Sequence, residues 1–261
     1  MNIRSQQHPS IAVIVISCDR YADLWRPFFF LFKRFWADCP YKVYLVTNHD
    51  LATFPGVITL QIGEDVSWSG NVRKALAFVE EEYVLMFLED FFLCGRINRA
   101  LIARVEVWIE KERPDYVLLN PTEKSPEPFN SLVDHVPVGA LYRASTVLSL
   151  WKKETLLSLL KEGENAWDFE LQGSERSDVF DRFFATRSIC FPIVNGVIKG
   201  KWQLMALATL KNLGAEVDLK RRPQMTTLEA LCYKFNLFRT KVFKFVPWKH
   251  RRQVRAWLKR T

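Results

Sequence analysis

The sequence predicts an α/β fold in which a doubly wound, mostly parallel sheet is flanked by helices and followed by a basic helical extension. Short apolar segments rich in β-branched residues, typical of buried strands, alternate with segments that have the length and periodicity of helices. Over residues 11–120 their order is β-α-β-β-α-β-α-β, which is the order of an open α/β sheet. Residues 230–261 contain ten Lys or Arg and no acidic residue, which sets the extension apart.

The first strand is predicted at Ile11–Ile16, which is apolar, largely β-branched and followed by polar residues. A helix is predicted over residues 21–36, because this segment has a broad aromatic face and places Pro27 near the first turns, where proline is tolerated. Residues 42–47 and 57–62 are predicted as the second and third strands. The chain thus begins with a unit that winds a helix across a parallel sheet.

The same reasoning continues along the chain. Helices are predicted over residues 71–82 and 98–112, and strands over residues 83–88 and 115–120. After a proline-rich loop at residues 121–137, we expect a strand over 138–143, a helix from Ser145 or Thr146 to residue 161, a strand over 188–194 and a helix over 204–213 that stops at Gly214.

Composition excludes several classes of protein. The chain has 261 residues, of which 49% are hydrophobic, and no apolar run approaches the ~20 residues of a membrane-spanning helix. Residues 1–8 lack the apolar core of a signal peptide, so we expect a cytoplasmic protein. The five cysteines form no CxxC pair and the four histidines have no ligand spacing, so neither zinc nor disulfides are expected.

Two acidic residues, Glu89 and Asp90, follow the apolar strand at residues 83–88. Ligands of open α/β sheets collect at the carboxyl ends of such strands. A divalent cation such as Mn²⁺ or Mg²⁺ needs oxygen ligands and often takes one or two carboxylates together with substrate phosphates. We therefore predict Asp90 as the metal contact, supported by Glu89. The alternative is that both acids simply end a strand.

The order of motifs over residues 10–205 resembles the GT-A class of nucleotide-sugar-dependent glycosyltransferases, particularly bacterial enzymes that build surface polysaccharide. The resemblance implies a GT-A-like domain at residues 1–215 and a basic amphipathic extension at residues 216–261. It also implies a donor site. The donor-binding residues would be Asp19, Arg20, Asn71, Arg73, Glu89, Lys199 and Lys201. Glu89-Asp90 departs from the Asp-x-Asp motif that this class usually has.

Each part of this donor site has a plain structural alternative. Asp19 is also suited to cap the following helix, and Ser69 to cap the helix that contains Asn71. Arg73 lies on a first helical turn, where a positive charge opposes the helix dipole, and this favours a ligand-facing role. Lys199 and Lys201 lie near paired glycines and could neutralise a diphosphate leaving group or be solvated lysines of a hairpin.

Trp167-Asp168-Phe169-Glu170 resembles the acceptor-side acidic motif of inverting members of this class. The resemblance implies that Glu170, or second Asp168, removes the proton from the acceptor hydroxyl, while Trp167 offers a flat face to the acceptor sugar. A base must lie within hydrogen-bond reach of its target. Alternatively, Trp167 and Phe169 fill the core of the second half.

The basic extension interleaves aromatic and aliphatic residues with Lys and Arg over residues 227–245. Such a helix suits the surface of an anionic membrane, where a lipid-linked acceptor would also lie, so we expect a peripheral position at the inner face of the membrane. A helix packed on the domain is the next alternative. Nucleic acid is not expected as a partner, because no binding motif is present and the rest of the chain is not basic.

The predicted function is transfer of a sugar from a nucleotide-sugar donor to a saccharide acceptor in surface polysaccharide or lipopolysaccharide synthesis. One alternative is a nucleotidyltransferase, although the glycine-rich phosphate loop of such enzymes is missing after the first strand. Another is a non-catalytic, membrane-associated protein with a degenerate transferase fold. Neither alternative is excluded by the sequence.

Overall fold

The structure, a computed structural model, describes residues 9–258. Residues 1–8, which carried the signal-peptide argument, and the basic residues Lys259 and Arg260 lie outside this range. The strands are β1 (Ile11–Ile16), β2 (Lys42–Thr47), β3 (Val57–Gln61), β4 (Tyr83–Leu88), β5 (Phe91–Leu93), β6 (Tyr116–Leu118), β7 (Glu127–Pro128), β8 (Val133–His135), β9 (Ser149–Lys152), β10 (Phe183–Thr186), β11 (Ile193–Asn195), β12 (Val197–Ile198) and β13 (Lys201–Trp202).

The helices alternate with these strands in the first half and dominate the C-terminal part. They are α1 (Ala22–Phe35), α2 (Trp68–Leu76), α3 (Arg99–Glu112), α4 (Lys153–Leu159), α5 (Ala166–Asp168), α6 (Ser174–Arg176), α7 (Leu204–Asn212), α8 (Thr227–Phe243) and α9 (Arg251–Leu258). A π-helical turn at Phe169–Gly173 joins α5 to α6.

Within the described residues, the main sheet has nine strands in the order β3-β2-β1-β4-β9-β6-β10-β8-β7. Strands β3, β2, β1 and β4 are parallel to one another, and β6 is parallel to β10. Strand β9 pairs in antiparallel fashion with both β4 and β6, and β8 does so with β10. The predicted α/β class and mostly parallel sheet are confirmed. A small two-stranded sheet of β5 and β11 lies beside the end of β4.

The core lies on both faces of this sheet, because successive residues of a strand point to opposite sides. Val13 and Val15 of β1 belong to a buried cluster with the aromatic face of α1 and with α3 and α7. Ala12, Ile14 and Ile16 belong to a second cluster with α2 and α4. The near-continuous apolar sequence of β1 follows from this burial on two sides.

Three predictions for the second half are wrong. Residues 187–192 are not a strand, although a strand is predicted over 188–194; strands β10 and β11 lie on either side of them, at Phe183–Thr186 and Ile193–Asn195. Residues 138–143 form turns instead of a strand. Residues 149–152, predicted as the start of a helix, form strand β9, and only Lys153–Leu159 is helical. Leu150 and Trp151 explain the strand, because they are buried in the two opposite clusters and thus alternate with the period of a strand.

The C-terminal segment contacts the domain before α8, is exposed along α8 and contacts the domain again through α9. Gly214 ends α7 at a φ of 73°, and the following segment buries Arg222 and Met225. From there α8 begins with a capping box formed by Thr226 and Glu229, and it contains no buried residue. Across residues 9–258, none of the helices combines the length and the apolar character needed to cross a bilayer.

Candidate functional site

The carboxyl ends of β1 and β4 form the floor of the candidate site. These strands are parallel and in register, with Ile16 opposite Leu88. The residues after β1, at 17–21, therefore lie beside Glu89 and Asp90, which form the turn between β4 and β5. This is the edge at which open α/β sheets bind ligands.

Glu89 is buried and Asp90 is half-buried, and the loss of contact with water raises the pKa of both carboxyl groups. The pKa of Asp90 is raised to about 7, and the positive charge of Arg222 opposes the increase. The charge on Asp90 raises the pKa of Glu89 further. Two neighbouring acids held in this way favour the approach of a cation or of a hydrogen-bond donor.

The main chain fixes the Glu89-Asp90 turn from the other side. The backbone N–H of Gly196 donates to the carbonyl oxygen of Asp90 over 2.7 Å. A Cβ atom at Gly196 would overlap the ring of Phe92, so only glycine allows the two segments to approach this closely. Gly196, one of the paired glycines near Lys199 and Lys201, is thus a point of tight packing.

Arg222 is a residue of this site that sequence reasoning missed. The residue is 7% exposed, and its guanidinium group donates to both carboxylate oxygens of Asp23, over 2.8 and 3.0 Å. It stacks over the ring of Tyr21, and it donates to the carbonyl oxygen of Gly200 over 3.1 Å. The sequence carries no local signal for this group, because Asp23 and Arg222 come together only through the fold.

Asp19 has a structural role that neither sequence-based alternative described. Its carboxylate accepts hydrogen bonds from the backbone N–H groups of Asn48, His49 and Asp50, over 2.9, 2.8 and 3.2 Å. It does not cap α1, whose N-cap residue Tyr21 makes no side-chain cap. Asp19 therefore ties the loop after β1 to the loop after β2. Arg20 is exposed beside it.

At the start of α2, Ser67 rather than Ser69 caps the helix, accepting from the N–H of Gly70 over 3.1 Å. Asn71 is buried and donates through Nδ2 to Asp65 over 2.6 Å. Within residues 9–258, its Oδ1 atom is buried without a hydrogen-bond partner, as is Nε1 of Trp68. A buried polar atom without a partner costs free energy, so the first turn of α2 is a place where a ligand or water would be favourable.

Two of the predicted donor-binding cations are already engaged. Arg73 donates to the carbonyl oxygens of Leu157 and Leu160, over 3.3 and 2.7 Å, and so holds the end of α4 against α2. Lys201 forms a salt bridge of 2.5 Å with Glu229 at the start of α8. Lys199 occupies the tip of the β12–β13 hairpin at a φ of 51° and is exposed.

Glu170 lies on the π-helical turn and is held through one carboxylate oxygen. Oε1 accepts from the Thr146 N–H over 2.8 Å, from Thr146 Oγ1 over 3.0 Å and from Ser145 Oγ over 3.1 Å. Burial raises the pKa of Glu170, and these donors partly oppose the increase. Single π-helical turns often occur at functional sites.

Glu170 reaches the same edge of the sheet as Glu89 and Asp90. The N–H of Leu148 donates to the carbonyl oxygen of Met86 over 2.9 Å, so the loop that holds Glu170 runs beside the end of β4. The structure thus gathers these three predicted acids along one edge.

The other members of the acceptor-side motif differ from one another. Trp167 is 70% exposed, as a platform for a ligand would be, whereas Phe169 is fully buried and contacts Trp68 and Trp151. Asp168 is half-buried, and its backbone N–H is capped by Asn165 over 3.0 Å. The core alternative therefore describes Phe169 and not Trp167.

The residues at this edge fit a divalent cation only if substrate phosphates supply part of its ligands. Among the described residues, no group of three His, Cys, Asp or Glu side chains could hold a metal ion. Glu89 and Asp90 nevertheless supply the one or two carboxylates that Mg²⁺ takes when substrate phosphates complete its shell. Their raised pKa values reflect burial, which a bound cation would offset.

Comparison with known proteins gives only distant likenesses. No protein-family profile and no curated protein matches the sequence. Among solved structures, S. aureus TarS 1–349 in complex with UDP-GlcNAc is 13% identical, with a TM-score of 0.47 over 70% of this chain and 57% of that one. The mannosyltransferase PcManGT from Pyrobaculum calidifontis, in complex with GDP-Man and Mn²⁺, is 15% identical, with a TM-score of 0.49 over 87% of this chain and 70% of that one.

The chain spans little more than half of the TarS fragment, 59% in a second structure of it. With all of these TM-scores below 0.5, the activity has to be inferred from the residues themselves.

Proposed function

We propose that the protein is a glycosyltransferase that moves a sugar from a nucleotide-sugar donor to the hydroxyl group of a saccharide acceptor. The observation that supports this most directly is the placement of acids along one sheet edge. Glu89 and Asp90 follow β4, and Ser145 and Thr146 hold Glu170 at the same edge of the sheet. Glu89 and Asp90 suit a cation bound to the donor phosphates, and Glu170 suits the acceptor hydroxyl.

Glu170 is the base in this proposal. Its Oε1 atom takes all of the hydrogen bonds that its carboxylate receives within the described residues, so Oε2 is left to accept a proton. The acceptor oxygen forms a bond to the anomeric carbon while the bond from that carbon to the diphosphate oxygen breaks. The hydroxyl proton passes to Oε2, and the anomeric configuration inverts. Asp168 is the second candidate for this role.

The remaining predicted residues would serve binding. Asp90, with Glu89, would hold a divalent cation, which neutralises charge on the departing phosphates when bound. Asn71 would supply its buried amide oxygen to the donor, and Trp167 its exposed ring to the acceptor sugar. Lys199 and Arg20 are exposed near the edge and are proposed as phosphate contacts. Asp19 would act by shaping the loop around the nucleoside.

Donor binding provides the first test. We would measure the melting temperature of the protein with UDP-, GDP-, dTDP- and CMP-sugars, each with and without Mn²⁺, because a ligand that binds the folded state raises it. A rise with one nucleotide-sugar, larger with Mn²⁺, is expected. Binding of nucleoside triphosphates and sugar-1-phosphates alone would indicate a nucleotidyltransferase. Binding of no nucleotide would indicate a non-catalytic protein.

We further propose that the acceptor is lipid-linked and that α8 contacts an anionic membrane from the cytoplasmic side, in surface polysaccharide synthesis. The support is a stripe of exposed apolar residues along one face of α8, named here the α8 stripe: Leu228, Leu231, Phe235, Phe238 and Val242. Spacing of three and four residues places them on one face, and by helical geometry Lys234 and Arg239 flank that face on opposite sides. This is the pattern of a helix that lies in a membrane interface.

Point variants test this better than removal of the tail, because the arginines of α9 contact the domain. Sedimentation with phosphatidylcholine vesicles, with and without phosphatidylserine, is the measurement. We expect binding that requires phosphatidylserine and is lost in the Phe235→Ser/Phe238→Ser variant. Leu237→Ser, on another face of α8, is the matched control and keeps binding. Binding unchanged by the double substitution, or self-association that it abolishes, would contradict the proposal.

A further inference from the structure

Arg252 of α9 makes a dense set of contacts with the body of the protein. Its Nη2 and Nε groups donate to the carbonyl oxygen of Ala140, over 2.9 and 3.2 Å, and Nη2 also donates to that of Ser174 over 2.9 Å. Its guanidinium group pairs with both carboxylate oxygens of Asp178, over 2.5 and 3.1 Å. One side chain thus joins the loop at residue 140 to the helical segment at residues 174–178.

These two segments are the ones that hold Glu170. The loop continues from Ala140 to Thr146, whose N–H donates to the Glu170 carboxylate. The helical segment follows Glu170 directly, and Ser174 Oγ donates to the Glu170 carbonyl oxygen while accepting from the Ala144 N–H over 2.9 Å. A closed path of hydrogen bonds and main-chain segments therefore joins Arg252 to Glu170 through both the loop and the helical segment.

We infer that Arg252 is a positioning residue for Glu170, so that helix α9 completes the acceptor half of the site. This inference rests on the proposed function for the identity of the base. Arginine suits the role because its planar fork satisfies several carbonyl and carboxylate oxygens at once, which the point charge of lysine does not. Small displacements of a catalytic group cost up to about a hundredfold in rate.

The direction of the effect on Glu170 follows from its surroundings. The donors from Ser145 and Thr146 lower the pKa of Glu170 against the increase caused by burial. Without Arg252, the loop would hold Ser145 and Thr146 less firmly, and their hydrogen bonds to the Glu170 carboxylate would weaken. The pKa of Glu170 would therefore rise. Tyr116, whose hydroxyl accepts from the Ser145 N–H, is the titratable neighbour on the adjoining strand, and its charge changes only at much higher pH. The acid limb of the rate profile should therefore move to higher pH.

The experiment compares Arg252→Gln and Arg252→Lys in the full chain with the matched control Arg251→Gln. Arg251 lies on the same helix but contacts Glu123 and the carbonyl oxygens of Lys244 and Val246. The probe reaction is release of nucleoside diphosphate from the donor with water as acceptor. For Arg252→Gln we expect kcat to fall about tenfold to a hundredfold. Donor affinity should stay unchanged, and the acid limb of the pH–rate profile should move to higher pH. Arg252→Lys should recover part of the loss.

Hydrogen exchange of the backbone separates this inference from the proposed function. Arg252→Gln should speed exchange at residues 139–146 and 169–178, and Arg251→Gln should not. If the wild-type protein releases no nucleotide from any donor, the proposed function fails and exchange alone decides the positioning role. The inference would be overturned if backbone hydrogen exchange were the same in Arg252→Gln and Arg251→Gln, and if the pH dependence of any measured rate were also the same.

Discussion

Arg222 and Asp23 form a bidentate ion pair although 199 residues separate them in the chain. The side chain of Asp23 is only 1% exposed and that of Arg222 8%. The pair joins the segment before α8 to the first turn of α1, beside the strand ends that carry Glu89 and Asp90. The C-terminal segment is therefore part of the wall of the candidate site.

Loss of Arg222 should destabilise the protein strongly. Arg222→Gln leaves the buried Asp23 carboxylate without its partner, which costs about 3–5 kcal/mol of unfolding free energy in comparable cases. Arg221→Gln is the matched control, because Arg221 is 49% exposed and lies 3.8 Å from Asp23; it should cost less than about 1 kcal/mol. Urea unfolding measures both. The double variant with Asp23→Asn should recover much of the loss, and equal effects of the two arginines would contradict this account.

Glu170→Gln should abolish transfer and yet stabilise the protein at alkaline pH. Because burial raises the folded-state pKa of Glu170, the unfolded chain releases the proton first, and stability falls as pH rises from about 4 through that raised pKa. Glutamine removes this loss and keeps an oxygen for the Thr146 N–H. The gain in unfolding free energy should be present at pH 8 and absent at pH 4. A gain of equal size at both values would show that Glu170 is not responsible, and near-normal turnover would point to Asp168.

Asp90→Asn should remove the effect of a divalent cation on the donor complex. With a nucleotide-sugar present, Mn²⁺ is expected to raise the melting temperature of the wild-type protein, since it binds only the folded site. The variant should bind the nucleotide without that extra rise. Asp181→Asn, at an exposed carboxylate outside the site, is the control. A full Mn²⁺ effect in Asp90→Asn would place the cation elsewhere.

Gly196→Ala should disturb the Glu89-Asp90 turn through Phe92. The added Cβ overlaps the Phe92 ring, and overpacking of this kind costs about 1–3 kcal/mol. Gly95→Ala is the comparison, because its Cβ would lie 3.3 Å from Pro192 and needs only a small adjustment. Unfolding free energy and donor affinity should both fall for Gly196→Ala and change little for Gly95→Ala. Equal effects would mean that Gly196 does not support the turn.

Arg73→Gln separates the donor-binding role implied by the resemblance from the structural role seen in the contacts. Removing the hydrogen bonds to Leu157 and Leu160 should cost about 1 kcal/mol of stability. We expect donor affinity to be unchanged. Lys74→Gln, which loses one exposed contact with Glu64, is the control for a change of charge. A selective loss of donor affinity in Arg73→Gln would restore the donor-binding prediction.

The elements that could be predicted from sequence are those whose signal is local. Strands β1, β2 and β4 are apolar on both faces, and helix α8 carries its own capping box and period, so their predicted positions agree with the structure. Strand β9 could not be recognised in this way. Its four residues are a strand only because β4 and β6 pair with it from distant parts of the chain.

The same distinction holds for the candidate site. Glu89, Asp90 and Glu170 could be proposed because each follows a readable local motif, and the structure brings them to one edge. The partners of Arg73 and Lys201 lie 84 and 28 residues away, and that of Arg222 lies further still. Sequence patterns describe what a side chain offers, whereas its partner is decided by the fold. The roles of these residues in binding and catalysis stay predictions until the variants are measured.

The Arg222–Asp23 pair also affects the order in which the chain can fold during its synthesis. Asp23 leaves the ribosome before Arg222, which follows 199 residues later in the chain. Until then, a domain that folded from the N-terminus would have to bury a carboxylate without a partner, or leave the start of α1 unpacked. The edge of the sheet that carries Glu89 and Asp90 is therefore expected to reach its final packing only after Arg222 has been synthesised, and to be open to proteases and chaperones until then.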